Sequence, residues 1–132
     1  MALLNSIISY WKLDESSGTR VDSVVASAND LTDDSSVGSA AGKINNAAHF
    51  VGASTDSLSR ADNASLSTGD IDFTVTAWVK LTDKTPSPTD NYPFVAKVPG
   101  GSTPNGDYYI AYNVIVDRFR FIVYNSVGTL KL

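Results

Sequence analysis

The sequence predicts an all-β, antiparallel fold, and three observations predict it. Apolar and polar residues alternate along several segments, most clearly from Ile71 to Leu81, and a period of two marks a half-buried strand. No amphipathic helical pattern runs beyond one or two turns. Clusters of Ser, Asn, Asp, Gly and Pro interrupt the chain at short intervals, as turns require. Many short strands, with no helices to cover a parallel sheet, indicate an antiparallel sandwich or jelly roll.

In chain order, Ser6 to Leu13 is expected to be a strand, followed by turn-rich stretches at Asp14 to Gly18 and Ser27 to Ser39. Shorter strands are expected at Ala47 to Val51 and Asp56 to Arg60, with a turn from Gly52 to Thr55 between them. Asp62 to Leu66 suits one helical turn, capped by Asp62 and tucking Leu66 inward. In the strongest segment Phe73, Val75, Ala77, Val79 and Leu81 share one face and Thr74, Thr76, Trp78 and Lys80 the other. The first set should form the core side of a central strand, with Trp78 packed on the opposite layer or a covering loop. At a fully buried site Phe73→Ala would cost about 3–5 kcal/mol.

Asp107 to Val114 and Asp117 to Tyr124 repeat the alternation. The first sets Tyr108, Ile110, Tyr112 and Val114 against Tyr109, Ala111 and Asn113. The second sets Phe119, Phe121 and Val123 against Arg118, Arg120, Ile122 and Tyr124. Ile115-Val116 is too apolar for a tight turn, so Asp117 is the expected turn residue. Two long loops, Thr82 to Pro93 and Pro99 to Gly106, are of a kind that is usually functional or mobile.

A length of 132 residues suits one domain with one core. Hydrophobic residues make up 42% and charged residues 18%, enough apolar material to fold beneath a surface made polar mainly by Ser, Thr, Asn and Gly. There is no cysteine, which excludes a disulfide scaffold and a thiolate zinc site. The net charge of −4 and pI near 4.7 argue against a nucleic-acid partner, which needs a basic surface. The apolar run from Leu3 to Tyr10 is broken by Asn5, Ser6 and Ser9 and has no basic flank, unlike a secretory signal. Nothing approaches the length of a membrane-spanning helix.

Several segments, in order, resemble the laminin-G-like domains of the concanavalin A superfamily. Ser9-Tyr10-Trp11-Lys12-Leu13-Asp14-Glu15-Ser16-Ser17-Gly18 is similar to the family's first strand and its "LDE-x-x-G" turn, and Val21-Asp22-Ser23 to the acidic segment after it. Gly42 to Gly52 resembles the "G-K…A-x-x-F-x-G" strand. Asp72 to Lys80 resembles "F-T-V-x-x-W-V-K", the most specific piece. Phe94-Val95-Ala96-Lys97 and Asp107-Tyr108-Tyr109-Ile110 resemble the next two strands. The resemblance implies one domain over residues 1–132, a concanavalin A-like antiparallel jelly-roll β-sandwich with Trp11 and Trp78 as packing residues. It implies a calcium ion in the first loops, with Asp22 at the matching acidic position and Asp14 beside it. Such domains continue into further strands beyond the region matched here. The jelly roll is therefore expected to be incomplete at the C-terminus, and closed by further sequence or by another chain.

Glucanases of the same superfamily use three near-alternate carboxylates on one strand; Asp70-Ile71-Asp72 offers two and reads as a charged strand entrance. His49, the only histidine, is out of phase with Phe50 and reads as solvent-facing rather than as a catalytic base. Asp14, Asp22, Asp30, Asp33 and Asp34 place oxygen donors in the early loops, as calcium prefers, without an EF-hand pattern. Sugar binding would use aromatic and amide groups at a loop rim, for which Asn91, Tyr92, Asn105 and Tyr109 are the candidates. Arg118-Phe119-Arg120-Phe121 reads as an alternating core strand, not an RNA reader. Asn63-Ala64-Ser65 is a glycosylation sequon only in a secretory setting.

The function expected is a non-catalytic module that binds glycan or protein surfaces, in an adhesin, secreted modular protein or phage tail component. A structural or decoration domain in a virion or surface assembly, contacting neighbouring chains, is the alternative, with a glycoside hydrolase third. The place expected is extracellular or virion-associated, with no membrane span.

Overall fold

The computed structural model describes residues 6–24, 28–51, 55–68, 71–84, 91–98 and 107–124. It is all-β with antiparallel pairing; the one helical element described by range is a single 3-10 turn. Two compact units divide the chain, Met1–Ser67 and Thr68–Leu132.

The first unit holds β1 (Thr32–Asp33), β2 (Gly38–Ala41), β3 (Asn46–His49) and β4 (Leu58–Ser59). β1 pairs with β4, and β2 with β3. The β2–β3 hairpin turns through Gly42 to Asn45, where the Gly42 amide donates to the Asn45 carbonyl (2.9 Å) and Asn45 adopts φ 53°. A Cβ on residue 42 would lie 2.7 Å from the Asn46 carbonyl oxygen, so the turn demands glycine there. Ser6 to Leu13 forms no strand; its ladder contact is the isolated bridge Trp11↔Asp22. A second bridge joins Arg20 to Leu31. The 3-10 turn Ala64–Leu66 is capped by Asn63, whose side chain accepts from the Ser65 amide (2.9 Å). The cap is thus one residue later than expected at Asp62, because Asn63 is the residue with extended backbone before the turn. Leu66 is half-buried, as expected.

The second unit is built on a three-stranded sheet, β5 (Asn91–Lys97), β6 (Tyr108–Asn113) and β7 (Arg118–Val123), ordered β5-β6-β7. β5 and β6 pair with a register shift between Pro93 and Val95. β6 and β7 join through a turn over residues 114–117, in which Asp117 adopts φ 51° and the Asn113 side chain accepts from the Val116 amide. The polar residues at both ends, not the apolar Ile115-Val116 between them, make that turn.

The register places Tyr108, Ile110, Tyr112, Phe119, Phe121 and Tyr92 on one face, and Tyr109, Ala111, Asn113, Arg120 and Ile122 on the other. Residues 71–84 form no ladder among the described residues, a departure from the expected central strand. They lie against the aromatic face: the Phe73 ring is 5.0 Å from Tyr108 and 6.1 Å from Phe121. The alternation survives as facing only at Phe73, Val75 and Leu81. Phe73, Val75 and Leu81 are half-buried, while Thr74, Thr76, Trp78 and Lys80 are exposed, as are Ala77 and Val79. Trp78 is 83% exposed, contrary to its expected packing role. Phe119 and Phe121 are also exposed, and the buried residue of β7 is Ile122, on the arginine-bearing face.

Candidate functional site

The first unit is organised around buried polar groups. Arg20 is fully buried. Its guanidinium donates to the carbonyls of Gly18 and Val37 (2.8 Å to Val37) and lies 4.0 Å from the Asp33 carboxylate. Asp33 accepts the amides of Gly18, Ser35 and Val37. The Val37 amide leads in holding its carboxyl below the usual range, against some desolvation.

Asp22 is the second hub. One carboxylate oxygen accepts from the Tyr10 (3.0 Å) and Val24 (2.9 Å) amides, the other from the Asn29 amide (3.2 Å). Burial pushes its carboxyl up, but these amides and the Ser9 hydroxyl together hold it below the usual value. Four donors fill the lone pairs of the two oxygens, so in this arrangement Asp22 ties backbone segments together. Asp14, its expected co-ligand, accepts from the Asn45 side chain (3.2 Å) and shares none of these partners. Among the described residues no three His, Cys, Asp or Glu side chains cluster to hold a metal ion. Neither Arg20 nor Asn29, also fully buried, was expected as a centre. A lone arginine in a polar stretch carries no periodic signal of burial.

The expected ligand residues do not converge on one rim. Asn91 sits opposite Asn113, whose amide donates to the Asn91 side chain (3.0 Å). Tyr92 faces the other side of the sheet, opposite Tyr112. Tyr109 shares the Asn91 face but pairs with Ala96, near the far end of β5, where its ring stacks on Tyr124 at 6.2 Å. Burial, with Tyr124 adding to it, raises the Tyr109 hydroxyl above its ordinary range. Asn105 lies outside the described residues. Asp70 does too, while Asp72 and His49 are exposed.

What the second unit does assemble is an open groove of about 500 Å3 on the aromatic face. Val75 to Val79 form one wall, and Phe94, Val95, Ile110 and Phe119 the other. Phe94 and Phe119 meet at 5.8 Å. Trp78 and Phe119 stand exposed at its edge. Beside it Lys84 bonds to Asp117 (2.9 Å) and lies over the Tyr112 ring at 5.2 Å, and the Tyr112 hydroxyl bonds to the same carboxylate. Those two partners, Tyr112 first, hold Asp117 below its ordinary range, and Asp117 in turn raises Lys84. The groove offers apolar and aromatic surface without a nucleophile–base pair. Sequence reasoning missed it because it treated Trp78 and Phe119 as core.

Comparison with protein-family models, with curated proteins and with solved structures finds no match to the chain. Among the described residues no helix is long and apolar enough to cross a membrane.

Proposed function

We propose that the chain is a non-catalytic binding module that engages a glycan or a protein surface through the groove of its second unit. One observation carries this reading: an open apolar groove with Trp78 and Phe119 exposed at its edge. An indole free on one side can stack on the apolar face of a sugar ring or anchor in a protein surface. The ordered sequence motifs are the ground on which a laminin-G-like jelly-roll sandwich is proposed as the parent architecture. The proposed setting is extracellular or on a virion.

A role in particle or surface assembly is the second reading. It is favoured by large apolar side chains left exposed in both units, among them Ile44, Phe50, Ile71 and Phe121.

The test is a glycan-array and protein-ligand screen followed by calorimetric titration of the chain and its variants. Trp78→Ala should weaken any ligand at least tenfold, a loss of about 1.4 kcal/mol. Asn91→Ala and Tyr109→Ala should bind like the parent chain. Binding unchanged by Trp78→Ala would remove the groove as the site.

A further inference from the structure

Residues 71–81 carry a pattern beyond their alternation: read outward from Thr76, they are complementary to themselves in reverse. On the polar side Thr74 mirrors Trp78 and Asp72 mirrors Lys80. On the apolar side Val75 mirrors Ala77, Phe73 mirrors Val79 and Ile71 mirrors Leu81. We propose that this segment pairs with the same segment of a second copy, as an antiparallel two-stranded ladder with its two-fold axis at Thr76.

The segment has strand-like facing but no ladder among the described residues. Its apolar side already rests on the sheet through Phe73, and Asp72, Thr74, Thr76, Trp78 and Lys80 are all exposed. A segment with no ladder among the described residues leaves backbone groups that a second strand can pair with, and a two-fold axis lets one surface serve both copies. Charge selects the arrangement. Pairing about Thr76 sets Asp72 of each copy opposite Lys80 of the other, and the two Thr76 side chains opposite each other, both favourable cross-strand pairs. Parallel pairing in register would set Asp72 against Asp72 and Lys80 against Lys80, which is repulsive. Moving the axis to Val75 exchanges these pairs for Asp70 opposite Lys80 but sets Asp72 opposite Trp78, and moving it to Ala77 sets Asp72 opposite Thr82 and Lys80 opposite Thr74. Moving it by half a residue puts apolar side chains opposite polar ones. In the chosen register Trp78 lies across from Thr74 of the second copy, which takes part of its exposed ring out of water.

The chain has no cysteine, so one introduced thiol reports one position. On the axis the two Cα atoms of residue 76 would stand about 4.5–5.5 Å apart, within disulfide range. Residues 74 of the two copies would lie about 13 Å apart along the strands, out of range. Mild oxidation should therefore cross-link Thr76→Cys into a covalent dimer and leave Thr74→Cys uncross-linked. By analytical ultracentrifugation the parent chain should be dimeric at about 100 μM, well above a micromolar dissociation constant. Asp72→Lys should weaken the dimer roughly tenfold through the repulsion it creates, and Asp72→Lys/Lys80→Asp should restore it. Circular dichroism should show the same β-spectrum for every variant, because each substitution is on the exposed side. Three results would overturn the proposal: a monomeric parent chain, whatever protects its 72–81 amides; Thr74→Cys cross-linking as fast as Thr76→Cys; or a double charge reversal that stays as weak as the single one.

Discussion

The two units hold an all-β chain together by different means. In the first, described residues that are fully or nearly fully buried are mostly polar: Arg20, Asp22 and Asn29 beside Val37. In the second they are mostly apolar: Ala111, Tyr112 and Ile122 beside Asn113. The first unit has two-residue strands, isolated bridges and one short hairpin, so side-chain carboxylates satisfy backbone amides that a longer ladder would have taken. The second has six- and seven-residue strands that satisfy their own backbone, and its side chains are left to pack rings against one another. Where ladders are short, charge becomes structural; where they are long, aromatic contact does.

The largest expected effect is on the polar side of that comparison. Arg20→Ala leaves Asp33 without its cation and two carbonyls without their donor, a loss of about 3–5 kcal/mol for a buried, hydrogen-bonded charge. Hydrogen exchange should show it in the first unit, with β6 amides unchanged. A loss below about 1 kcal/mol in denaturant melts would mean that the network is ornamental. Next comes Phe73→Ala. Phe73 is only half-buried, so the cost should fall to about 2 kcal/mol, below the range for a fully buried ring, and should appear in the second unit. The smallest effect is acid sensitivity. Asp22 and Asp33 both have carboxyls held below the ordinary carboxylate range by backbone amides. Depressed values stabilise the fold above the unfolded carboxylate range, and that contribution is lost as pH falls through the lower folded values. Melting followed from pH 5 to pH 2 should therefore destabilise the first unit in the lower part of that range. A first unit equally stable at pH 5 and pH 2 would break the link between its carboxylates and its fold.

The strands of the second unit's sheet were legible in the sequence because alternation over six residues marks a strand, but the facing of β7 was not: Phe119 and Phe121 are exposed and Ile122 is buried. The spans Tyr108–Asn113 and Arg118–Val123 fall inside those read from the pattern, and Asp117 turns the chain where expected. Residues 71–81 show the limit of that signal. Period two placed Phe73, Val75 and Leu81 inward but also Ala77 and Val79, which are exposed; whether the backbone finds a neighbour depends on residues far away in sequence. The first unit was less legible. Strands of two to four residues are too short to show a period, and a buried Arg20 or Asn29 looks like any polar loop residue until its partners are in place. For the groove, hydrophobicity marked Trp78 and Phe119 correctly as apolar but not as exposed.

One hydrogen bond in the first unit sets an order of events. Asn29 reaches the Ser65 hydroxyl across 36 positions of chain, and Ser9 across 20. Closing such loops costs more entropy than closing the four-residue β6–β7 turn, whose hairpin belongs to the microsecond class. A ribosome delivers the chain from its N-terminus, so the half made first contains a centre that stays incomplete until Ser65 has been added. The half made last holds the hairpin that can close as soon as it is free. Arg20 and Asn29 therefore stay hydrated until residue 65 has emerged, and the first unit, made earlier, has the longer time in which to close its longer loops.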